Sequence, residues 1–333
     1  MKTARFSIIA LFLFGCSIAS ACSVPVFRYA LNYWEADRYE LQANGTKLAP
    51  DLTANVIVKP AEGDAARLVL GDQQIWSGEL TPDVLEKMLD SPVRREIVRR
   101  IIHGDSVVWV LVESGDAAAN DAAAKFLTER LRYLESIAVV PELLPNDPFN
   151  KIGPGPALTL RHSVLRMSAR DPEEAFTLAM LERGEADSHV PTAYPVFGRG
   201  RVLIALPQEK LTTDNIDEVC GFLTGQCSCE VKDSRMGWDL LLKCDWDEEL
   251  AQADQRRQTE GDAPQKARPV DAGPTSQPVV DSHPEPQTVI FHGQASIDPL
   301  PPRLPWLTNK LAVATISLVL TGLVGALWLR KRA

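Results

Sequence analysis

The residues of this chain best suited to chemistry are its cysteines. Four of the six crowd one stretch, CGFLTGQCSCEVKDSRMGWDLLLKC, as Cys220-x6-Cys227-x-Cys229-x14-Cys244, and another, Cys22, opens CSVPVFRYALNYW. Such thiols can close disulfides, hold a soft ion such as Zn²⁺ or Cu⁺, or react as nucleophiles. A cysteine metal site usually carries a Cys-x2-Cys knuckle, and here there is a single Cys-x-Cys, so Cys227 and Cys229 are weak metal candidates. Structural disulfides among Cys22, Cys220, Cys227, Cys229 and Cys244 are the favoured reading. Cys22 stands just before a stretch of helical periodicity, where a helix N-terminus favours a thiolate, and it is the one weak catalytic candidate.

Other reaction motifs are missing. There is no Gly-x-Ser-x-Gly elbow, no His-Glu-x-x-His, no phosphate loop and no haem attachment site, and the five histidines are scattered. Nothing asks for a cofactor, and the balance is against an enzyme. A formal net charge of −9 argues against a nucleic-acid phosphate backbone as partner.

The compartment decides what the thiols do, and the two ends of the chain set it. MKTAR, an apolar run too short to span a bilayer, and Ala19-Ser20-Ala21 together read as a signal peptide over residues 1–21, cleaved before Cys22. Leu13-Phe14-Gly15-Cys16 is a competing lipoprotein-like box with a bulky Phe at a position usually small. At the other end, Leu311 to Leu329 is uncharged and apolar, long enough to cross a hydrocarbon core, with Arg330, Lys331 and Arg332 behind it. Residues 310–333 are thus read as a transmembrane helix with a short basic cytoplasmic tail, in a single-pass cell-membrane protein whose N-terminal part is exported. Residues 250–309, rich in Pro, Gln, Asp and Ser, read as a disordered tether. Cleavage before Cys22 leaves five thiols where disulfides form, an odd number. Cys22 is expected to pair with one of the 220–244 group.

The elements that must position these residues follow from periodicity. Val26, Phe27, Ala30, Leu31 and Trp34 predict a helix directly after Cys22. Strands are predicted at Arg38–Ala43, Ala54–Lys59, Arg67–Leu70 and Gln74–Ser77, then two helices started by Thr81-Pro82 and Ser91-Pro92. Arg94, Arg95, Arg99 and Arg100 on the second helix read as a solvated basic face. From Asp105 the pattern is a buried strand at SVVWVLVESGD, a helix over Asp121–Ile137, and a strand over Ser163–Ser168. A helix from Pro172 capped by Asp171 follows, then a hairpin turning at Gly198-Arg199-Gly200 and a helix over Thr213–Leu223. Cys227–Lys232 and Trp238–Cys244 read as a second hairpin.

This βαβαββα order resembles a thioredoxin-like domain over about Asp105 to Gly225, with Pro191-Thr192 where that family keeps a cis-proline. RLVLGDQQIWSGELTPDVLEKMLD resembles the same domain's ending, and the helix after Cys22 its first helix. The expected fold is therefore α/β: two tandem thioredoxin-like units over 22–104 and 105–249, then the tether and the transmembrane helix. The opening CSVPVFRYALNYW is similar to uncharacterised bacterial envelope proteins. Redox-active family members carry Cys-x-x-Cys where the first strand meets its helix, and here that place is Ser114-Gly115-Asp116. The resemblance therefore implies a unit without dithiol exchange, and Asp116 and Asp121 read as helix-capping groups before acid/base groups. The function expected is a membrane-anchored, non-catalytic protein-binding or structural module whose partner is another envelope or membrane protein. The alternative is an envelope thiol-redox or soft-metal-handling protein using Cys22 with Cys227 and Cys229.

Overall fold

The computed structural model describes residues 24–44, 53–63, 65–140, 152–182, 189–225 and 235–260. The leader, Cys22, Cys227, Cys229, most of the tether and the candidate membrane helix Leu311–Leu329 lie outside the described residues. No helix among the described residues is long and apolar enough to cross a membrane.

The chain is mixed α/β with two sheets. Helix α1 (Val26–Tyr33) leads into β1 (Tyr39–Ala43), β2 (Val56–Pro60), β3 (Ala66–Leu70) and β4 (Gln73–Gly78). These form a sheet of order β2-β1-β3-β4, with β1 and β2 parallel and the other pairs antiparallel. On β1, Tyr39, Leu41 and Ala43 are buried while Glu40 and Gln42 alternate outward, the pattern of a sheet covered on one face. The β3–β4 hairpin turns at Gly71, whose φ of +62° suits glycine. Helices α2 (Pro82–Leu89) and α3 (Pro92–Ile102) follow, with Thr81 and Ser91 accepting from the N–H groups of Val84 and Arg94. Each places a proline in its first turn, where the missing N–H costs nothing.

The second sheet begins with β5 (Val107–Glu113), then α4 (Ala117–Ile137) and β6 (His162–Ser168). A 3-10 turn at Pro172–Glu174, α5 (Ala175–Glu182) and the strands β7 (Thr192–Phe197), β8 (Arg201–Val202) and β9 (Leu206–Pro207) come next. Then come α6 (Thr213–Thr224), β10 (Trp238–Asp239) and α7 (Trp246–Glu260). The order is β10-β8-β7-β5-β6, with β9 also on β7; β5 and β6 are parallel and β7 runs antiparallel to β5. Strand β5 is buried on both faces, and its alternation feeds two cores. Val107, Trp109 and Leu111 meet α1, α4 and α6, whereas Val108, Val110 and Val112 meet α3, α5 and the inner face of the first sheet. Residues on both sides of position 104 therefore share one core.

Four local expectations change. Helix α1 buries Val26, Phe27 and Ala30, with Trp34 just past its end, beside β7 and α6 in the second core, and only Leu31 among its predicted apolar residues joins the core of the four-stranded sheet, whose inner face also packs against α2 and α3. Trp238–Asp239 pairs with β8, and Leu240, Leu241 and Leu242 run on into the core without forming the longer strand expected to Cys244. Helix α7 continues through Glu260, past the expected tether start at residue 250, because Trp246, Leu250 and Ala253 form a buried stripe and Asp247, Glu248 and Glu249 suit its first turn. No peptide bond among the described residues is cis, so Pro191 departs from the proline of the resembled family.

The basic face of α3 is also corrected. Arg95 is exposed, but Arg94 and Arg100 are buried, since α3 is packed on both flanks of its Val93–Ile97–Ile101 stripe. The Arg94 guanidinium donates to the carbonyls of Met88 (2.9 Å), Lys87 (2.6 Å) and Leu241 (2.9 Å) and to Ser91 Oγ (3.1 Å). It thus closes the C-terminus of α2 and pins the run after β10. Burial lowers its pKa to about 10. Arg100 pairs with Glu96 and donates to Val164 O.

Candidate functional site

The two described thiols stand far from reactivity. Cys220, on the inner face of α6, is buried among residues of the α4 and α6 side of the second sheet. Cys244 packs against the opposite core, where its N–H donates to Thr53 O (3.2 Å). Both are free thiols, and the sheet between them keeps them from pairing with each other. Burial pushes each pKa up to about 12, and Asp217 beside Cys220 and Glu249 beside Cys244 add to it. A neutral, enclosed thiol is a poor nucleophile and a poor metal ligand. Cys22, Cys227 and Cys229 lie outside the described residues. Val26 N–H donates to Gly225 O (3.1 Å), so the start of α1 lies beside the end of α6. Among the described residues no group of three or more His, Cys, Asp or Glu could hold a metal ion.

At the junction of β5 and α4, the place where the resemblance implies a redox pair in active family members, stand Ser114, Gly115 and Asp116. Their polar groups serve the backbone. Ser114 N–H and Oγ both donate to Asn120 Oδ1 (2.9 and 3.1 Å), and Asn120 Nδ2 donates back to Ser114 O (3.1 Å). Asp116 Oδ1 accepts from the N–H groups of Ala118 (2.9 Å) and Ala119 (3.1 Å), which satisfies the helix start. Asp121 forms a surface pair with Arg166 (2.7 Å), which also holds Glu113. Capping and ion pairing account for both aspartates.

The surface is concave elsewhere. A cleft of about 1040 Å³ is bounded by the β3–β4 hairpin tip (Asp72, Gln73), the end of α5 (Leu181, Glu182), β7 (Thr192, Tyr194), the run 203–210 and Trp238. Leu181, Val190, Leu203 and Ile204 form the aliphatic part of a lining that is as polar as it is apolar. Among the described residues Asp72, Glu182 and Glu209 bring carboxylates to it and Lys210 an ammonium. Trp238 Nε1 donates to Met180 O (2.9 Å), which fixes the indole at the rim. Tyr194 is fully buried, yet its hydroxyl has no hydrogen-bond partner among the described residues. Burial, with Glu182 nearby, pushes its pKa up, so the group remains a neutral donor. Buried phenols normally find a partner, and leaving one unmatched costs roughly 1–3 kcal/mol.

Cysteine arithmetic directed attention to thiols and away from this cleft, whose walls come from distant parts of the chain. The one available signal was a tyrosine in PTAYPVF, a strand otherwise short of polar side chains. A protein-family scan, a search of curated proteins and a search of solved structures each returned no match.

Proposed function

We propose that the folded part of this chain is a non-catalytic protein-binding module of thioredoxin-like strand order, exported and held to a membrane through Leu311 to Leu329. The strand order β6-β5-β7-β8, with α4 and α6 on one face and α5 on the other, supports the likeness, and β2-β1-β3-β4 repeats that order in the first sheet. The observation that carries the functional reading is the junction Ser114-Gly115-Asp116. It holds no sulfur, and its polar groups are committed to Asn120 and to the start of α4. Fold alone does not decide activity; the chemistry of the site does.

One observation favours the thiol reading as runner-up. The Val26–Gly225 hydrogen bond leaves only a few residues of chain on either side before Cys22 and Cys227. At about 3.5 Å per extended residue those lengths are enough to bring the two sulfurs together. A structural bridge or a reactive pair between them is thus within the reach of the chain.

The test is thiol chemistry on the full chain purified in detergent without reductant. Peptide mapping is expected to find Cys22 joined to Cys227 or Cys229, and Cys220 and Cys244 unmodified by a thiol reagent until urea is added. A Cys22 thiolate at neutral pH, trapped as a mixed disulfide with another protein, would overturn the non-catalytic reading.

A further inference from the structure

A buried polar cluster joins the two sheets. Arg201 on β8 donates to the carbonyls of Arg235, Met236 (2.8 Å) and Gly237 (3.1 Å), and the ring of Trp34 lies 5.7 Å from its guanidinium carbon. Its Nη1 also donates to two carboxylates, Asp239 on β10 (2.7 Å) and Asp37 in the link between α1 and β1 (3.3 Å). Asp239 Oδ2 accepts the Asp37 N–H as well (2.8 Å), and Tyr39 Oη donates to Asp239 O (2.7 Å). On the solvent side Asp37 Oδ1 meets the Arg235 guanidinium (3.3 Å), which donates to Glu35 O. Among the described residues Asp239 is thus faced by Arg201 from β8, by Asp37 and Tyr39 from the entry to the first sheet, and by Arg235 beyond Asp37.

Two features set this cluster apart from a plain ion pair. Two carboxylates share one guanidinium Nη1, and one of them is buried, so their mutual repulsion is poorly screened. The backbone between β8 and β10 is also held against its preference, with left-handed φ values of +40° at Arg235 and +92° at Gly237. Such conformations persist where the surroundings over-determine them, and Arg201 does so by taking three successive carbonyls.

We propose that Asp37, Asp239 and Arg201 form a proton-operated clasp between the two sheets, tighter when Asp239 is protonated than when both carboxylates are charged. A proton taken from solvent onto Asp239 removes the like-charge repulsion and makes that carboxyl a donor to Asp37, while Arg201 keeps Asp37 and its three carbonyls. Burial, with Asp37 nearby, pushes the Asp239 carboxyl up from 3.8 to about 6 against the pull of Arg201. Because the closed value lies above the open one, the added stability is fully present below 3.8 and is lost as pH rises through about 6. The difference amounts to roughly ten- to hundredfold in the closing equilibrium. Asn55 donates to Asp37 O (2.8 Å) and Leu240 O (3.1 Å) and accepts the Leu242 N–H (2.8 Å). It does not titrate, so the sheets stay joined there when the clasp loosens. A simple stabilising ion pair between Asp239 and Arg201 would have the opposite sign and weaken on acidification.

Hydrogen exchange on the full chain in neutral detergent, corrected for the intrinsic pH dependence of exchange, separates the two. The readout is the protection of residues 39–43 and 237–242 relative to residues 107–112 of β5, a ratio that cancels titrations acting on the whole fold. It is expected to rise at least about tenfold as pH is lowered from about 7.5 to about 4.5. Asp239→Asn keeps an oxygen to accept from Arg201 and from the Asp37 N–H, and its amide can donate to Asp37. It should hold the ratio near the acid value of the wild type at every pH. Asp37→Asn removes the like charge and should shrink the rise. A wild-type ratio that stays flat or falls on acidification would overturn the proposal. So would an unchanged rise in Asp37→Asn, or an Asp239→Asn protein that is open over residues 237–242 at every pH or does not fold.

Discussion

Stability at acid pH offers a quantitative test of the core, through His162. The ring is buried at the start of β6, and Trp109 Nε1 donates to its Nδ1 (3.3 Å), so the proton sits on Nε2. That Nε2 has no hydrogen-bond partner, and burial lowers the pKa from 6.5 to about 4. The unfolded chain therefore takes up a proton between about pH 6.5 and about 4, where the folded chain does not. The stabilisation is fully present above the unfolded value and is lost as pH falls through the folded one. At about 1.36 kcal/mol per pKa unit the difference is worth roughly 3 kcal/mol. Glu135, whose carboxylate accepts the His162 backbone N–H, has its pKa raised by burial and contributes a slope of the opposite sign. A comparison with His162→Gln cancels that contribution, because the amide oxygen can accept from Trp109 and does not titrate. Urea unfolding of both proteins across this range should show the wild type losing roughly 3 kcal/mol more than the variant. Parallel pH profiles, or an imidazole that titrates near its ordinary value in the native state, would refute the burial argument.

Two further substitutions probe how the second sheet is closed. Gly237→Ala should cost roughly 2–4 kcal/mol, since a Cβ would meet Val202 O at 2.0 Å in a left-handed conformation, whereas Gly63→Ala, with φ of +105° and open space around it, should cost only about 1 kcal/mol. Similar midpoints for the two variants in thermal melts would count against the close approach of β10 to β8. Arg94→Met should cost roughly 3–5 kcal/mol by stranding the carbonyls of Met88 and Leu241, with Arg94→Lys between it and wild type because an ammonium cannot reach all four acceptors; full stability in Arg94→Met would refute its bridging role.

Local patterns in the sequence translated directly into local structure. Thr81, Ser91, Asp116 and Asp171 cap helices or turns as their types suggest, and the Gly198–Gly200 turn lies between β7 and β8. These features depend on neighbours a few residues apart. What the sequence did not disclose depends on distant ones. Four guanidinium groups, on Arg28, Arg94, Arg100 and Arg201, are buried because backbone carbonyls or carboxylates from remote segments surround them. An arginine on a helix reads as surface unless those acceptors are known. The stripe of α7 was hidden for a related reason: Trp246, Leu250 and Ala253 are apolar, but the residues between them are so polar that composition reads as tether. Of the candidate cysteines, only Cys220 and Cys244 fall among the described residues, and sequence spacing said nothing of the sheet that separates them.

The two sheets share a strand order, β2-β1-β3-β4 and β6-β5-β7-β8, but differ in what joins their parallel pair. Between β5 and β6 the chain has residues 114–161, enough for α4 to cover one face while α5 and the first sheet cover the other. Between β1 and β2 it has only residues 44–55, near the lower limit for a parallel crossover. Strand β2 is accordingly half-buried to exposed along its length, and the first sheet buries its apolar residues on one face only. That face is supplied by the shared core, so the first sheet depends on the second for its packing. The β3–β4 hairpin is thereby held with its tip, Asp72 and Gln73, at the cleft beside β7 and α5. Leu68→Ala at the centre of β3 should therefore loosen the first sheet before the second unfolds. Hydrogen exchange should then show β1 and β3 opening ahead of β5 and β7. Simultaneous opening of all four strands would instead make the two sheets a single cooperative unit.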